Sequence, residues 1–236
     1  MEKFSIIGAG ALGQHISAVL QKNRFTETDD IHDSDWIFVT VPDDVLQSVI
    51  DGIPDSVSGK IITCSASVFV QSTAHKIESA HPLQTFPKEP IDSSRFDEIF
   101  WAVEPNSSEK LLDLIQKIGG KHFSISAKNR IFYHAMAIVA SNLMIGLLDY
   151  AKAIGEKTGL PEKQINKILQ PLVQSTINNY FENGFSAVSG PAKRGDIQLI
   201  EKHLNELEKS GINPEIYKSV TDRILKKTNG DNERSS

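Results

Sequence analysis

The sequence predicts two domains of different class. An α/β domain on a mostly parallel sheet occupies residues 1–126, an all-helical domain follows over residues 127–228, and residues 229–236 form a disordered tail. Three observations carry this. The chain opens on an apolar run, Phe4 to Ile7, that meets the triplet Gly8-Ala9-Gly10-Ala11-Leu12-Gly13 and passes into a helical pattern. Up to about Ser126, apolar runs of strand length alternate with helical stripes, the mark of a parallel sheet covered by helices. Beyond Ser126 only helical spacing is found.

With Phe4 to Ile7 as a buried strand, each glycine has a task. Gly8 permits the tight turn, Gly10 lets backbone amides approach a pyrophosphate, and Gly13 lets the helix pack on the sheet. Ala11 and Leu12 open that helix, whose unpaired amides and positive dipole end favour an anion. The alternative is a glycine turn that merely packs. Gln14 to Lys22 carries Ile16, Val19 and Leu20 on one stripe. Only 22 residues then separate Gly13 from the buried run Trp36 to Val41. A full dinucleotide fold places a second strand, a ribose-binding acid and a further helix there. Phe25 to Thr28 can be a stub of that strand, with Asp29 or Asp30 near the expected distance for the acid, but no room remains for the helix.

Val41 ends the strand that opens at Trp36, and Pro42, Asp43 and Asp44 follow it, where ligands bind in open parallel sheets. Asp43 or Asp44 can also cap the helix containing Val45, Leu46, Val49 and Ile50. Lys60 to Cys64 is a third strand, and Cys64 reads as structural because nothing electropositive stands beside it in sequence. Glu78 to His81 leads into Pro82-Leu83-Gln84-Thr85-Phe86. Ile99 to Val103 is a further strand, Leu111 to Ile118 a helix ended by Gly119-Gly120, and His122 to Ile125 a last short strand. Arg130 to Ile154 is apolar on nearly every side, which demands burial in a bundle or between subunits. A helix restarts at Leu160-Pro161-Glu162, Pro171 interrupts it or opens the next, and Asn183-Gly184 stops it. Ile197 to Lys209 and Pro214 to Lys227 are amphipathic helices, and Gly230 to Ser236 has too little apolar surface to fold.

Composition narrows the function classes. The 25 basic against 30 acidic residues leave no basic footprint, so nucleic acid is not expected as a partner. The single cysteine fits a reducing compartment. No apolar run is expected to reach the length of a membrane span, and the first residues already read as strand rather than leader. A cytoplasmic protein acting on a small molecule follows.

The motifs resemble those of a known family. They are the glycine triplet, Val41-Pro42-Asp43-Asp44, His81-Pro82-Leu83-Gln84-Thr85-Phe86, Tyr133-His134-Ala135, Ala140-Ser141-Asn142 and Gly190-Pro191-Ala192-Lys193-Arg194-Gly195-Asp196. Together they resemble a Rossmann-like family whose helical C-terminal half is a domain of unknown function. It is related to NADP-dependent oxidoreductases, 3-hydroxyacid and 6-phosphogluconate dehydrogenases and pyrroline-5-carboxylate reductase. The resemblance implies an abbreviated Rossmann-type sheet followed by a helical 6-phosphogluconate-dehydrogenase-like domain. It also implies NADP or NAD as cofactor, NADP being favoured, and a homodimer formed through the helical domain. Two features depart from the family: the second strand with its helix is cut short, and the usual serine-glycine-alanine turn is here Cys64-Ser65-Ala66-Ser67.

A hydride-transfer enzyme needs a proton donor beside the reacting carbon, and histidine suits it because its pKa lies near neutrality. His134 and His81 are the candidates. On one continuous helix Ser141 would nearly eclipse His134, with Asn142 on an adjoining flank to orient a polar substrate group. Arg194 has the forked guanidinium that holds a carboxylate or phosphate, or it simply pairs with Asp196. Asp196 more naturally caps the helix at Ile197, and Lys128 reads as a solvated helix start. Each polar group has a structural alternative, the satisfaction of a buried partner. The expected activity is NAD(P)-dependent hydride transfer to or from a small, anionic hydroxyacid or imine; the alternative is a dinucleotide-binding dimer without turnover.

Overall fold

The computed structural model describes residues 1–88 and 98–233, with side chains as far as residue 230. The chain divides into two compact units at Ser141/Asn142, whereas the sequence places the change of class at Ser126. The first unit holds β1 (Lys3–Ile7), α1 (Ala11–Lys22), β2 (Thr26–Glu27), β3 (Trp36–Val39), α2 (Asp43–Asp51), β4 (Lys60–Thr63), β5 (Ile77–Pro82), β6 (Phe100–Val103), α3 (Glu109–Lys117), β7 (Lys121–Ser124) and α4 (Arg130–Ala140). Its strands form one sheet in the order β2-β1-β3-β4-β5-β6-β7. Every neighbouring pair is parallel except β5 and β6.

The two-residue period of a strand sorts its apolar side chains onto two faces. Phe4, Trp36, Phe38, Ile62 and Trp101 pack with Ile16, Val19 and Leu20 of α1 and Leu111, Leu114 and Ile115 of α3. Ile37, Val39 and Ile61 pack on the other side with Leu46 and Ile50 of α2. Each fully buried aliphatic or aromatic side chain contributes on the order of 1.5–3 kcal/mol of transfer free energy, so these two clusters fix the sheet. Neither Asp43 nor Asp44 caps α2 with its side chain. Pro42 takes the N-cap position, and the two acids stand in the first turn, where they complement the helix dipole.

β2 is the expected stub. In place of a crossover helix there is one 3-10 turn, Ile31–Asp33, capped by Asp30, whose carboxylate accepts from the His32 amide. Ser5 ties this shortcut to β1: its Oγ lies 2.5 Å from the Thr28 carbonyl and 2.6 Å from Ser34 Oγ. β5 is a full strand although it carries Glu78 and His81. Glu78 is 5% exposed and accepts from both the amide and the hydroxyl of Ser108, the N-cap of α3, at 2.6 and 2.7 Å.

The second unit contains α5 (Asn142–Glu156), α6 (Glu162–Asn183), α7 (Pro191–Arg194), α8 (Ile197–Lys209) and α9 (Glu215–Glu233). Three sequence readings are corrected here. The long helix from Arg130 breaks at Ser141, whose φ −124° and ψ −83° are not helical and whose Oγ donates to the Ala137 carbonyl at 2.6 Å. His134, Ser141 and Asn142 therefore do not share one helical flank. Pro171 does not end a helix; α6 runs through it for 22 residues. Residues 229–233, expected to be disordered, complete α9, and residues 234–236 of that tail lie outside the described residues. The segment Ala127–Glu156 also contains an 18-residue window of mean hydropathy 1.8, apolar enough to cross a membrane by length and composition. The expectation that no run reaches that length fails, although the break leaves helices of 11 and 15 residues, each shorter than the about 20 residues a span needs.

Candidate functional site

The chain passes from β1 to β2 on one side and returns to β3 on the other, so β1 and β3 flank the point where strand order reverses. In open α/β sheets that crevice, at the carboxyl ends of the strands, is where ligands bind. The glycine triplet fills it. Gly8 has φ +131°, a conformation that other residues rarely adopt, and a Cβ there would stand 2.7 Å from Thr40 Oγ1 and 2.9 Å from its carbonyl. A Cβ on Gly13 would stand 2.8 Å from the same Oγ1 and 2.9 Å from the Gly8 carbonyl. Gly10 differs: nothing lies within 4 Å of where its Cβ would be. Packing explains the first and third glycines and leaves the second facing open space, at the N-cap of α1.

Next along the edge come Thr40, Val41, Pro42 and Asp43 after β3, and the turn Ser65 to Ser67 after β4. Ser65 Oγ accepts from the amides of Ser67 and Val68 at 3.2 and 2.9 Å, and Ser67 Oγ donates to Asp43 at 2.6 Å. The departure from a glycine-containing turn is thus a hydroxyl-braced turn tied to the neighbouring loop. Cys64, buried beneath it, has its thiol pushed up to about 12 by burial, which leaves it protonated and inert.

At β5 the first turn of α4 reaches over the sheet. Arg130 is 2% exposed; its guanidinium donates to the Ser65 carbonyl at 2.8 Å and to Ser79 Oγ at 2.6 Å. Its Nε is buried with no hydrogen-bond partner among the described residues. Tyr133, three residues on and hence on the same helix face, places its hydroxyl 2.6 Å from His81 Nδ1. It packs against Ala66 and Ala102. Burial, reinforced by the Arg130 and His134 charges, lowers His81 to about 4, and burial raises the Tyr133 phenol to about 12. Both are neutral at physiological pH, so the contact holds a single proton between them.

The structure brings His81 and His134 into one electrostatic neighbourhood, since His134 is among the groups that shift His81. His134 itself is half-buried and makes no side-chain hydrogen bond among the described residues. Asn142 and Arg194 belong to the second unit. Asn142 is the exposed first residue of α5, and Arg194 is exposed at the end of α7. Arg194 forms no ion pair with Asp196 among the described residues; Asp196 caps α8, its carboxylate accepting from the Leu199 amide at 3.2 Å. Sequence reasoning missed Arg130 and Tyr133 as members of the site. The one signal available was their spacing of three residues, opposite the apolar flank of the same helix.

The family described as Domain of unknown function (DUF2520) matches residues 99–224, from just before β6 into α9. No curated protein sequence matches the chain. Among solved structures, a protein of Bacteroides fragilis provisionally described as an NADP oxidoreductase is similar over 95% of this chain and 98% of its own, with 20% identity and a TM-score of 0.75. A protein of Thermotoga maritima is similar over 97% and 99%, with 22% identity and a TM-score of 0.71. The 1-pyrroline-5-carboxylate reductase of Streptococcus pyogenes is similar over 96% and 97%, with 16% identity and a TM-score of 0.59. At such identities the likeness establishes the fold: an α/β Rossmann-type domain followed by a helical one.

Proposed function

The chain belongs to the DUF2520 family, and from that footing we propose that it is an oxidoreductase dependent on a nicotinamide dinucleotide and acting on a small hydroxyacid or imine. The observation that carries this reading is the unequal surroundings of the three glycines. Two are demanded by packing; Gly10 is demanded by nothing in the protein and leaves room for a pyrophosphate at the head of α1. The likeness to proteins described as NADP oxidoreductases and pyrroline-5-carboxylate reductases supports the same class. The lone cysteine supports a cytoplasmic setting.

The residues divide the work along the carboxyl edge. The amides of Ala11, Leu12 and Gly13 would bind the pyrophosphate, and Val41, Pro42 and Asp43 would border the path towards β4 and β5. A bound nicotinamide supplies or accepts the hydride. Arg130 holds the Ser65 turn and β5 together and thereby sets the floor of that end. His81, lowered to about 4, is neutral and does not serve as an imidazolium donor at pH 7, so the donor's role falls to His134. Orientation of a polar group and retention of an anion are the roles expected of Asn142 and Arg194 in the second unit, and the proposal does not rest on them. One observation favours the second reading, a dinucleotide-binding dimer without turnover: burial moves His81 down and Tyr133 up, away from pH 7, so the pair stays uncharged and poorly suited to proton exchange.

The test is a fluorescence titration with NADH and NADPH on wild type and Gly10→Ala. Gly10 has φ −76° and ψ 173°, which alanine adopts freely, so the variant should keep its melting temperature and lose binding by about tenfold or more. Unchanged affinity would remove the cofactor assignment. His134→Ala should then keep nucleotide affinity and lose about a hundredfold in turnover on a hydroxyacid and imine panel; wild-type binding without turnover would select the second reading.

A further inference from the structure

We infer that the site selects NAD(H) over NADP(H), and that Glu27 is the residue that reads the adenosine ribose; this rests on the dinucleotide reading above. A cavity of about 480 Å³ opens beside the glycine turn, lined by Gly8, Gly13, Gln14, Ser17, Gln21 and Glu27 among others. It runs from the pyrophosphate position along α1 to the end of β2, the side on which a dinucleotide's adenosine half lies. Among the described residues no lysine or arginine lines it.

Glu27 closes that cavity in a fixed pose. Ser17 Oγ and Gln21 Nε2, one turn apart on α1, both donate to its Oε2 at 2.6 Å. Oε1 takes no hydrogen bond among the described residues and is the atom available to a ribose hydroxyl. β2 stops early, with Glu27 paired to Phe4 rather than level with the glycine turn. A glutamate is one methylene longer than the aspartate that a full-length second strand would present. Of the two acids expected from spacing, Asp30 is spent capping the Ile31–Asp33 turn, and Asp29 lies past the strand.

The surrounding charge works in the same direction. Residues 25–35 hold Glu27, Asp29, Asp30, Asp33 and Asp35 and no lysine or arginine. Lys3 pairs with Asp33. Lys22 ends α1 and Arg24 precedes β2, at the amino end of that strand rather than the carboxyl end where Glu27 stands. A 2′-phosphate carries roughly −1.5 to −2 charges near pH 7 and would meet carboxylates with no cation among the described lining residues to hold it, whereas a 2′-hydroxyl donates to one of them. The resemblance favours NADP, and the chain's own residues at the one position that distinguishes the two cofactors favour NAD.

The experiment is a fluorescence titration of the full chain with NADH and with NADPH, wild type beside Glu27→Gln, with melting temperature as the control for folding. Wild type should bind NADH at least about tenfold tighter than NADPH, and Glu27→Gln should narrow that ratio to about threefold or less with the melting point held, since Glu27 is an exposed side chain. Equal or tighter NADPH binding by wild type would overturn the selection while leaving the dinucleotide reading standing. An NADH preference undiminished in Glu27→Gln would overturn the assignment to Glu27. Binding of neither nucleotide would overturn the dinucleotide reading and the selection with it.

Discussion

His81 is where burial writes a pH dependence into a single residue. In the unfolded chain its imidazole titrates near 6.5; in the folded protein desolvation, Arg130 and His134 bring it to about 4, against a smaller opposite pull from Asp43. Between those values the unfolded state binds the extra proton. Stability from this group is therefore complete above about pH 6.5 and is lost as pH falls towards 4. From pH 7.5 to 5 the loss should be about 2 kcal/mol, measurable as a drop in the urea midpoint. His81→Asn, which cannot protonate, should lose correspondingly less over the same interval. Parallel pH slopes for the two proteins would show that the imidazole is not held neutral. The pair it forms with Tyr133 was hidden in the sequence because it joins positions 52 apart, and no local spacing announces a contact of that kind.

Among the elements, legibility followed local apolar content. β3 and β6 are apolar throughout and β1 and β4 each hold an apolar pair, and these strands were readable because a strand buried on both faces needs no alternation. β5 reads Ile-Glu-Ser-Ala-His-Pro, and its two ionisable residues are accommodated only by partners far along the chain, Ser108 and Tyr133. The break at Ser141 was illegible for the opposite reason, since one serine in a long apolar stretch costs a helix little by propensity alone. The glycine turn was readable from its spacing, but the different demands on its three members were not. Those demands make an element-scale prediction. Gly13→Ala must displace Thr40, Ile6 or the Gly8 carbonyl, and forcing α1 off the sheet should cost on the order of 1–3 kcal/mol in chemical denaturation. The Gly10 variant should show no such loss. Equal stability of the two variants would mean that α1 is not packed as closely as its glycines indicate.

At the scale of the whole molecule the open question is what covers the apolar surface of the helical unit. No residue of α5 is buried. Leu143 is 58% and Ile145 63% exposed, and on α6 Leu172 is 62% exposed. Surface of this kind marks an interface, and we propose that a second copy of the chain supplies the cover. Sedimentation equilibrium at micromolar concentration should give a dimer, and Leu143→Glu with Leu172→Glu should shift it to monomer; a monomeric wild type would rule the assembly out. The sheet offers no competing route to self-association. One margin is β2, two residues long and carrying a charged Glu27, and the other is β7, four residues long and opening on Lys121. Strands so brief and so charged give a neighbouring chain almost no ladder to extend. A shortened second strand therefore leaves this protein poorly suited to edge-to-edge aggregation.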